Sequence, residues 1–332
     1  MFYFRYRRIG LLKTLNPRLK ILLSIGDLGG ATFSVVSSNN RTRRIFADSV
    51  LDICKEFQFD GIDIDWEFPA IRTGFKPDRI NLIHLLVEIR EREELLWKHQ
   101  NDNSFIISMA VGTPLVIAST SYIIPAIAKL VNFVNLMSYD FHYYRPDRPF
   151  TGHHAPLYPQ SSDKAYYSTL NVAWSATYWA SRGMPLEKII VGIPTYARTY
   201  NLVVPIGQGV MNAPASGVGL GGGKFNYTAV CDFLSIPNTV EQFDQHSQVP
   251  YAYRDYDWIA YENEMSVAIK TQWVIKTGMG GIVSFALNFD DSIGNCRKDK
   301  KKFPLQKTIS NLLELASIKS YKKNAFIINI QK

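Results

Sequence analysis

Six short apolar runs punctuate the chain, each followed by a longer stretch with helical spacing, and this alternation narrows the folds open to it. The runs fall at 21–25, 61–66, 105–111, 131–139, 189–193 and 281–287. Nearly all are apolar at consecutive positions, as expected of parallel strands covered on both faces. Helical spacing follows at 42–57, 77–100, 122–130, 166–182, 264–277 and 305–315. Pro77 and Asp78 suit a helix start, and Gly183 and Gly278 stand just past helix ends. Six β-then-α units predict an α/β fold with right-handed crossovers. A (β/α) barrel and a doubly wound sheet both satisfy the count. The barrel is favoured because polar residues gather at the C-terminal ends of several different strands.

One connection is out of proportion. Between Ile193 and the helix at 264 lie about seventy residues, far beyond an ordinary strand-to-helix loop. This stretch reads as a small inserted α+β subdomain on the barrel rim, over 195–261. Residues 1–194 and 262–318 then form the barrel, and 319–332 a basic tail. The run Gly217–Gly223 (GVGLGGG) is not a phosphate loop, because Phe follows Lys224 and no strand–loop–helix order surrounds it.

Apolar residues make up 46% of the 332 and charged residues 20%, which supports a packed core and excludes wholesale disorder. The net charge of +8 collects at 5–8, at 297–302 and in the tail. No basic helix is interleaved with aromatics, so no nucleic-acid partner is expected. No apolar run approaches the roughly 18 residues of a membrane-spanning helix, so no membrane partner is expected either. A monomer is expected. The opening MFYFRYRRIG has arginines where a signal peptide needs its apolar core. Two glycosylation sequons, at Asn40 and Asn226, would matter only in a secretory protein.

The densest chemistry is 59–67, FDGIDIDWE. Side chains alternate along a strand, so Asp63, Asp65 and Glu67 project to one face and Ile62, Ile64 and Trp66 to the other. Several carboxylates in a row on a buried strand are costly to desolvate and repel one another. Capping or salt bridging is one alternative. A metal site is another, weakened because no His lies nearby and the intervening residues are Ile and Trp. Acid–base work fits better. Adjacent carboxylates push their pKa values apart, so one can stay protonated and donate to a leaving group. Glu67, last on the strand, is the natural acid. Asp60 has the other parity and reads as a structural residue at the strand start.

The pattern Asp60-x-x-Asp63-x-Asp65-x-Glu67 resembles the signature of the family 18 glycoside hydrolases, the chitinases and chitinase-like lectins. Further matches follow in the family's order: Ser24-Ile-Gly, Met137-Ser-Tyr139-Asp140, Gly192-Ile-Pro-Thr-Tyr196-Ala-Arg198, Val249-Pro-Tyr251 and the stretch 280–291. The resemblance spans 8–315. It implies a chitinase-type (β/α)8 TIM barrel with an inserted α+β subdomain, acting on chitin or chito-oligosaccharides without a cofactor or metal. It further implies substrate-assisted retaining hydrolysis, an exception to the two-carboxylate scheme. Glu67 would protonate the glycosidic oxygen. Asp65 would orient the substrate's N-acetyl group, whose carbonyl attacks the anomeric carbon, and Asp63 would share a proton with Asp65. Tyr139 would hydrogen-bond the acetamido carbonyl, with Met137, Asp140, Arg198, Tyr251 and Phe285 lining the sugar site.

Read without the family pattern, Met137 and Tyr139 are core residues, Asp140 caps a loop and Arg198 anchors the insertion. Tyr251 and Trp258 divide between insertion core and cleft wall, and His142 reads as a loop hydrogen-bonder. The resemblance also implies a disulfide between Cys231 and Cys296, leaving Cys54 a buried thiol. The chain departs from the family at two aromatic positions. Asp27-Leu28-Gly-Gly follows Gly26 where the family carries a Trp, and Phe285 stands where a Trp floors the central sugar site. The six strands match the family's third to eighth and the helix near 8–15 its second, so a barrel lacking its first two strands is expected. The implied full-length form is secreted, and the chain reads as truncated, with activity expected to be impaired. A non-hydrolytic chitin-binding lectin, or an inactive fragment, is the alternative to a working hydrolase.

Overall fold

The computed structural model describes residues 2–27, 30–71, 74–97, 104–205 and 211–320. Its strands in chain order are β1 (Leu22–Asp27), β2 (Gly61–Trp66), β3 (Ile106–Gly112), β4 (Phe133–Met137) and β5 (Ile189–Pro194). Next come β6 (Tyr196–Leu202), β7 (Ala215–Val218), β8 (Lys224–Asn226), β9 (Val240–Asp244), β10 (Val249–Arg254), β11 (Asp257–Ala260) and β12 (Gly281–Phe285). Two six-stranded sheets result. The first is wholly parallel, in the order β1-β2-β3-β4-β5-β12. All six apolar runs fall in it, as the alternation predicts. The second is antiparallel, in the order β7-β6-β11-β10-β9, with β8 also paired to β6.

Helices in chain order are α1 (Phe2–Gly10), α2 (Leu12–Leu15), α3 (Ala31–Ser37), α4 (Asn40–Phe57), α5 (Asp78–Leu96), α6 (Leu115–Ser121), α7 (Ile124–Leu130), α8 (Val172–Ser181), α9 (Tyr227–Leu234), α10 (Glu264–Thr277) and α11 (Pro304–Ser320). The single helix expected near 8–15 is two, α1 and α2, and Tyr6 packs edge-on against Phe57 and Phe59. The helix expected over 166–182 is shortened to α8. Asn171 caps its start by accepting the Trp174 N–H at 2.8 Å, and a 3-10 turn at Ala165–Thr169 precedes it. Helix α5 stops at Leu96, and the expected continuation to 100 runs into residues outside the described ones. Most of the 319–332 tail also lies outside them. Gly278 ends α10 in the left-handed conformation (φ 73°).

The main core lies between the parallel sheet and its helices. It buries Ile62, Ile64 and Trp66 of β2 against Leu51, Cys54, Leu82 and Leu85 of α4 and α5. A smaller cluster, Leu22, Phe133, Ile190 and Val283, takes one residue from each of four strands. The second sheet carries its own cores, one around α9 and one around Tyr200, Tyr251 and Trp258. Several ties among the described residues root it to the first. Thr195 Oγ1 donates to the Ala286 carbonyl at 2.6 Å. The fully buried Lys270 of α10 pairs with Glu262 and donates to the Ala155 carbonyl. Cys231 of α9 is disulfide-bonded to Cys296, across a sequence separation of 65. Cys54 is a free, buried thiol.

Closing a loop of that size restricts the unfolded chain by about 4 kcal/mol in the chain-entropy account. Replacing both cysteines by serine is therefore expected to lower the urea midpoint markedly, measured by circular dichroism. An unchanged midpoint would contradict a structural role for the bond.

Candidate active site

The site is built outward from β2, whose six residues are all buried. Parallel register sets Ser24 of β1 and Ser108 of β3 level with Asp63. Asp63, 0% exposed, accepts from Ser24 Oγ at 3.1 Å, Ser108 Oγ at 2.5 Å and Asn135 Nδ2 of β4 at 3.0 Å. A carboxylate taken out of water costs several kcal/mol unless hydrogen bonds replace the lost solvation. Here donors from the three strands nearest β2 supply them. Asp65 is two residues further on and 6% exposed, and its register partner on β1 is Gly26, which has no side chain to cover it. Glu67 follows just past the strand end and is half-buried. On the opposite face Trp66 stacks on Phe33 at 5.3 Å. Asp60 behaves as its parity suggests, taking the Ile21 N–H at 2.7 Å and ion pairs from Lys13 and Lys20.

Tyr139 lies two residues beyond β4, with its ring stacked on Phe285 of β12 at 5.7 Å and edge-on to Tyr196 of β6. Gly192 of β5 makes room for it. A Cβ there would stand 2.1 Å from the Leu136 carbonyl oxygen and 3.0 Å from the Tyr139 ring. Burial first, then the negative charges of Asp65, Asp140, Glu67 and Asp63, push the Tyr139 hydroxyl well above its ordinary pKa. It stays a protonated donor.

Asp140 adopts a left-handed backbone (φ 57°) and takes a two-pronged ion pair from Arg198 of β6, at 2.7 and 2.5 Å. His154 Nδ1 lies 3.5 Å from the same carboxylate. Burial alone would raise the Asp140 pKa, but His154 and the Arg198 guanidinium outweigh it and hold the carboxyl well below the usual range. Met137 ends β4, half-buried, and its carbonyl accepts from Thr113 Oγ1 at 3.0 Å.

The structure thus brings Asp63, Asp65, Glu67, Tyr139, Asp140, Arg198 and Phe285 into one connected group. Tyr251 stands apart from it. It is buried in the core of the second sheet, stacked on Trp258, with its hydroxyl donating to Gln242. His142 is buried beside Arg148, and its pKa is pushed down to about 3 by burial and that cation, so it is neutral near pH 7. Leu28 lies outside the described residues. Sequence reasoning gave no role to Ser108, Asn135 or His154. Ser108 was visible as a lone polar residue in its apolar run, and Asn135 as one of a few in its own. Among the described residues, no group of three or more His, Cys, Asp or Glu is arranged to hold a metal ion. Among the described residues, no helix is long and apolar enough to cross a membrane.

A parallel α/β sheet of barrel type, with a carboxylate row along and just past one strand and a Tyr139–Phe285 ring pair at the ends of two others, defines the class of protein. The particular family follows from comparison: the chain belongs to the glycosyl hydrolases family 18, whose model matches residues 3–290. A probable endochitinase of Caenorhabditis elegans is 34% identical over 93% of this chain, which spans half the length of that relative. An immunomodulatory active chitinase from Trichuris suis has a TM-score of 0.86 at 31% identity, over 93% of this chain and 84% of its own. Human YKL-39, described as a pseudo-chitinase with retained chitooligosaccharide binding properties, has a TM-score of 0.87 at 29% identity, over 94% and 85%.

The lowered Asp140 pKa makes a prediction about acid stability. A carboxyl whose folded pKa is depressed contributes stability above its unfolded pKa of about 3.9 and loses that contribution as pH falls. Arg198→Met should therefore lower Tm at pH 7, and the gap to the unchanged chain should narrow toward pH 3. A gap independent of pH in thermal melts would show that the ion pair does not carry the effect.

Proposed function

We propose that the chain is a chitinase-type hydrolase that cleaves β-1,4-linked N-acetylglucosamine polymers with retention, using the substrate's own acetamido group. One observation carries the reading: Asp63, Asp65 and Glu67, alternating along β2 and just past its end, all act electrostatically on the Tyr139 hydroxyl, whose ring stacks on Phe285. In this mechanism Glu67, at the mouth and in reach of water, donates its proton to the glycosidic oxygen as the bond breaks. The N-acetyl carbonyl attacks the anomeric carbon and closes an oxazolinium ring, and water activated by Glu67 then opens it. Asp65 orients the acetamido group and balances the positive charge on that ring. Asp63, held by its strand donors, sits beneath Asp65 and keeps it in place. Tyr139 keeps its proton and donates to the acetamido oxygen.

Met137 and Asp140 line the same sugar, Phe285 offers its ring to the sugar's apolar face, and Arg198 acts mainly by fixing Asp140. Tyr251 acts at most through the packing of the second sheet. Chitin or chito-oligosaccharides are the partners proposed, with the chain acting as a secreted monomer in which residues 195–261 form a unit inserted in the barrel. A second reading, sugar binding without turnover, is favoured by one observation: a relative of equal structural likeness is a pseudo-chitinase that keeps chitooligosaccharide binding.

A fluorogenic chitotriose glycoside separates the two. Turnover by the unchanged chain, reduced at least about a hundredfold by Glu67→Gln with binding kept, is the expected result. Binding without turnover in the unchanged chain would contradict the hydrolase and leave the lectin reading.

A further inference from the structure

Lys224 occupies an unusual position for a lysine. Its ammonium lies 4.0 Å from the centre of the Tyr196 ring, 4.0 Å from that of Phe289 and 5.6 Å from that of Phe285. The side chain is half-buried, and among the described residues no carboxylate stands within ion-pair distance of it. Its partner across the β6–β8 ladder is Arg198, so two cations face each other in direct register. Like charges directly opposite in a sheet destabilise it. The Arg198 charge is already matched by Asp140, and burial together with Arg198 lowers the Lys224 pKa.

The location gives this unmatched cation a use. Tyr196, Arg198 and Lys224 share one face of the second sheet, because Tyr196 and Arg198 are two residues apart and Lys224 pairs with Arg198. That face meets the aromatic floor: Tyr196 is edge-on to Tyr139, Phe285 and Phe289. The ring faces hold the ammonium by cation–π attraction, which orders it without cancelling its charge. A sugar lying on Phe285 therefore has a fixed positive charge beside it.

We propose that Lys224 makes the sugar site at Phe285 selective for charge, accepting saccharide units that are neutral and N-acetylated or that carry an anionic group, and disfavouring units that carry a free ammonium. The proposal rests on the sugar-binding reading above and adds to it which substitution pattern of the polymer is taken. An anionic substituent at that site, sulfate or carboxylate, would gain from the ammonium.

The test is calorimetric titration in low salt of three tetrasaccharides that share a backbone: N-acetylated chitotetraose, its fully deacetylated form and its 6-O-sulfated form. Glu67→Gln serves as the background, so that no ligand is cleaved. Added Lys224→Met should bind the sulfated sugar about tenfold more weakly and the deacetylated one about tenfold more tightly, the size expected of one charge at close range near a protein surface. Chitotetraose affinity should move little. Lys224→Arg should behave like its parent, and the differences should shrink at high salt. Equal shifts for all three sugars would assign Lys224 a packing role and overturn the proposal, as would no shift for any. Failure of the Glu67→Gln parent to bind any of the three sugars would contradict the sugar-binding reading itself, and the proposal with it.

Discussion

One buried carboxylate holds the site together. Asp63 is fully enclosed in a parallel sheet and draws hydrogen bonds from Ser24, Ser108 and Asn135, so a single side chain ties β2 to β1, β3 and β4. Without those donors the charge would be too costly to bury, and without the charge the donors would be orphaned in an apolar sheet. The strands therefore have reason to keep one register, and the register decides what else stands at their ends. Asp65 and Glu67 rise from β2 at fixed heights above Asp63, Tyr139 leaves β4 beside them, and Gly192 leaves the gap on β5 that the Tyr139 ring fills.

The second sheet completes the site from the other side. Arg198 reaches from β6 to Asp140, and Tyr196 from the same strand meets Tyr139 and Phe285 edge-on. The disulfide, the Thr195–Ala286 hydrogen bond and the Lys270–Glu262 pair hold this sheet to the parallel one. The residues of the site thus come from two separately cored layers, and charge runs across their junction. Three of the cationic and anionic groups there are Asp140, Arg198 and Lys224, of which the first two match each other.

Much of the fold was legible because the parallel strands are apolar on both faces and separated by long helices. The bounds of β2 are legible to the residue and those of the other five parallel strands to within one or two residues at each end, whereas the individual strands of the second sheet are not. Two short helices, α3 and α6, were not legible, although α7 of the same seven-residue length was. The break before α8 falls at Asn171, which prefers to cap a helix rather than continue one, inside a stretch whose apolar spacing runs on across it. The carboxylate row was legible from strand parity alone. Tyr139 and Phe285 were not, since their partners lie far apart in sequence and only family resemblance grouped them, and the Asp140–Arg198 pairing came from neither route. Tyr251 shows the limit of that route, because its aromatic neighbours draw it into the second sheet's core. Lys224 was passed over because the register that sets it opposite Arg198 belongs to a three-residue strand with no sequence signal of its own.

The central claim is that β2 presents carboxylates for a reaction in which the substrate's acetamido group does the attacking. The anomeric form of the first product reports on this directly, by proton NMR of chitotetraose during the first minutes of incubation, before mutarotation. The account predicts that the newly formed reducing end appears as the β anomer and drifts afterwards to the equilibrium mixture. Release of the α anomer, or no product at all from a chain that binds the sugar, would contradict it.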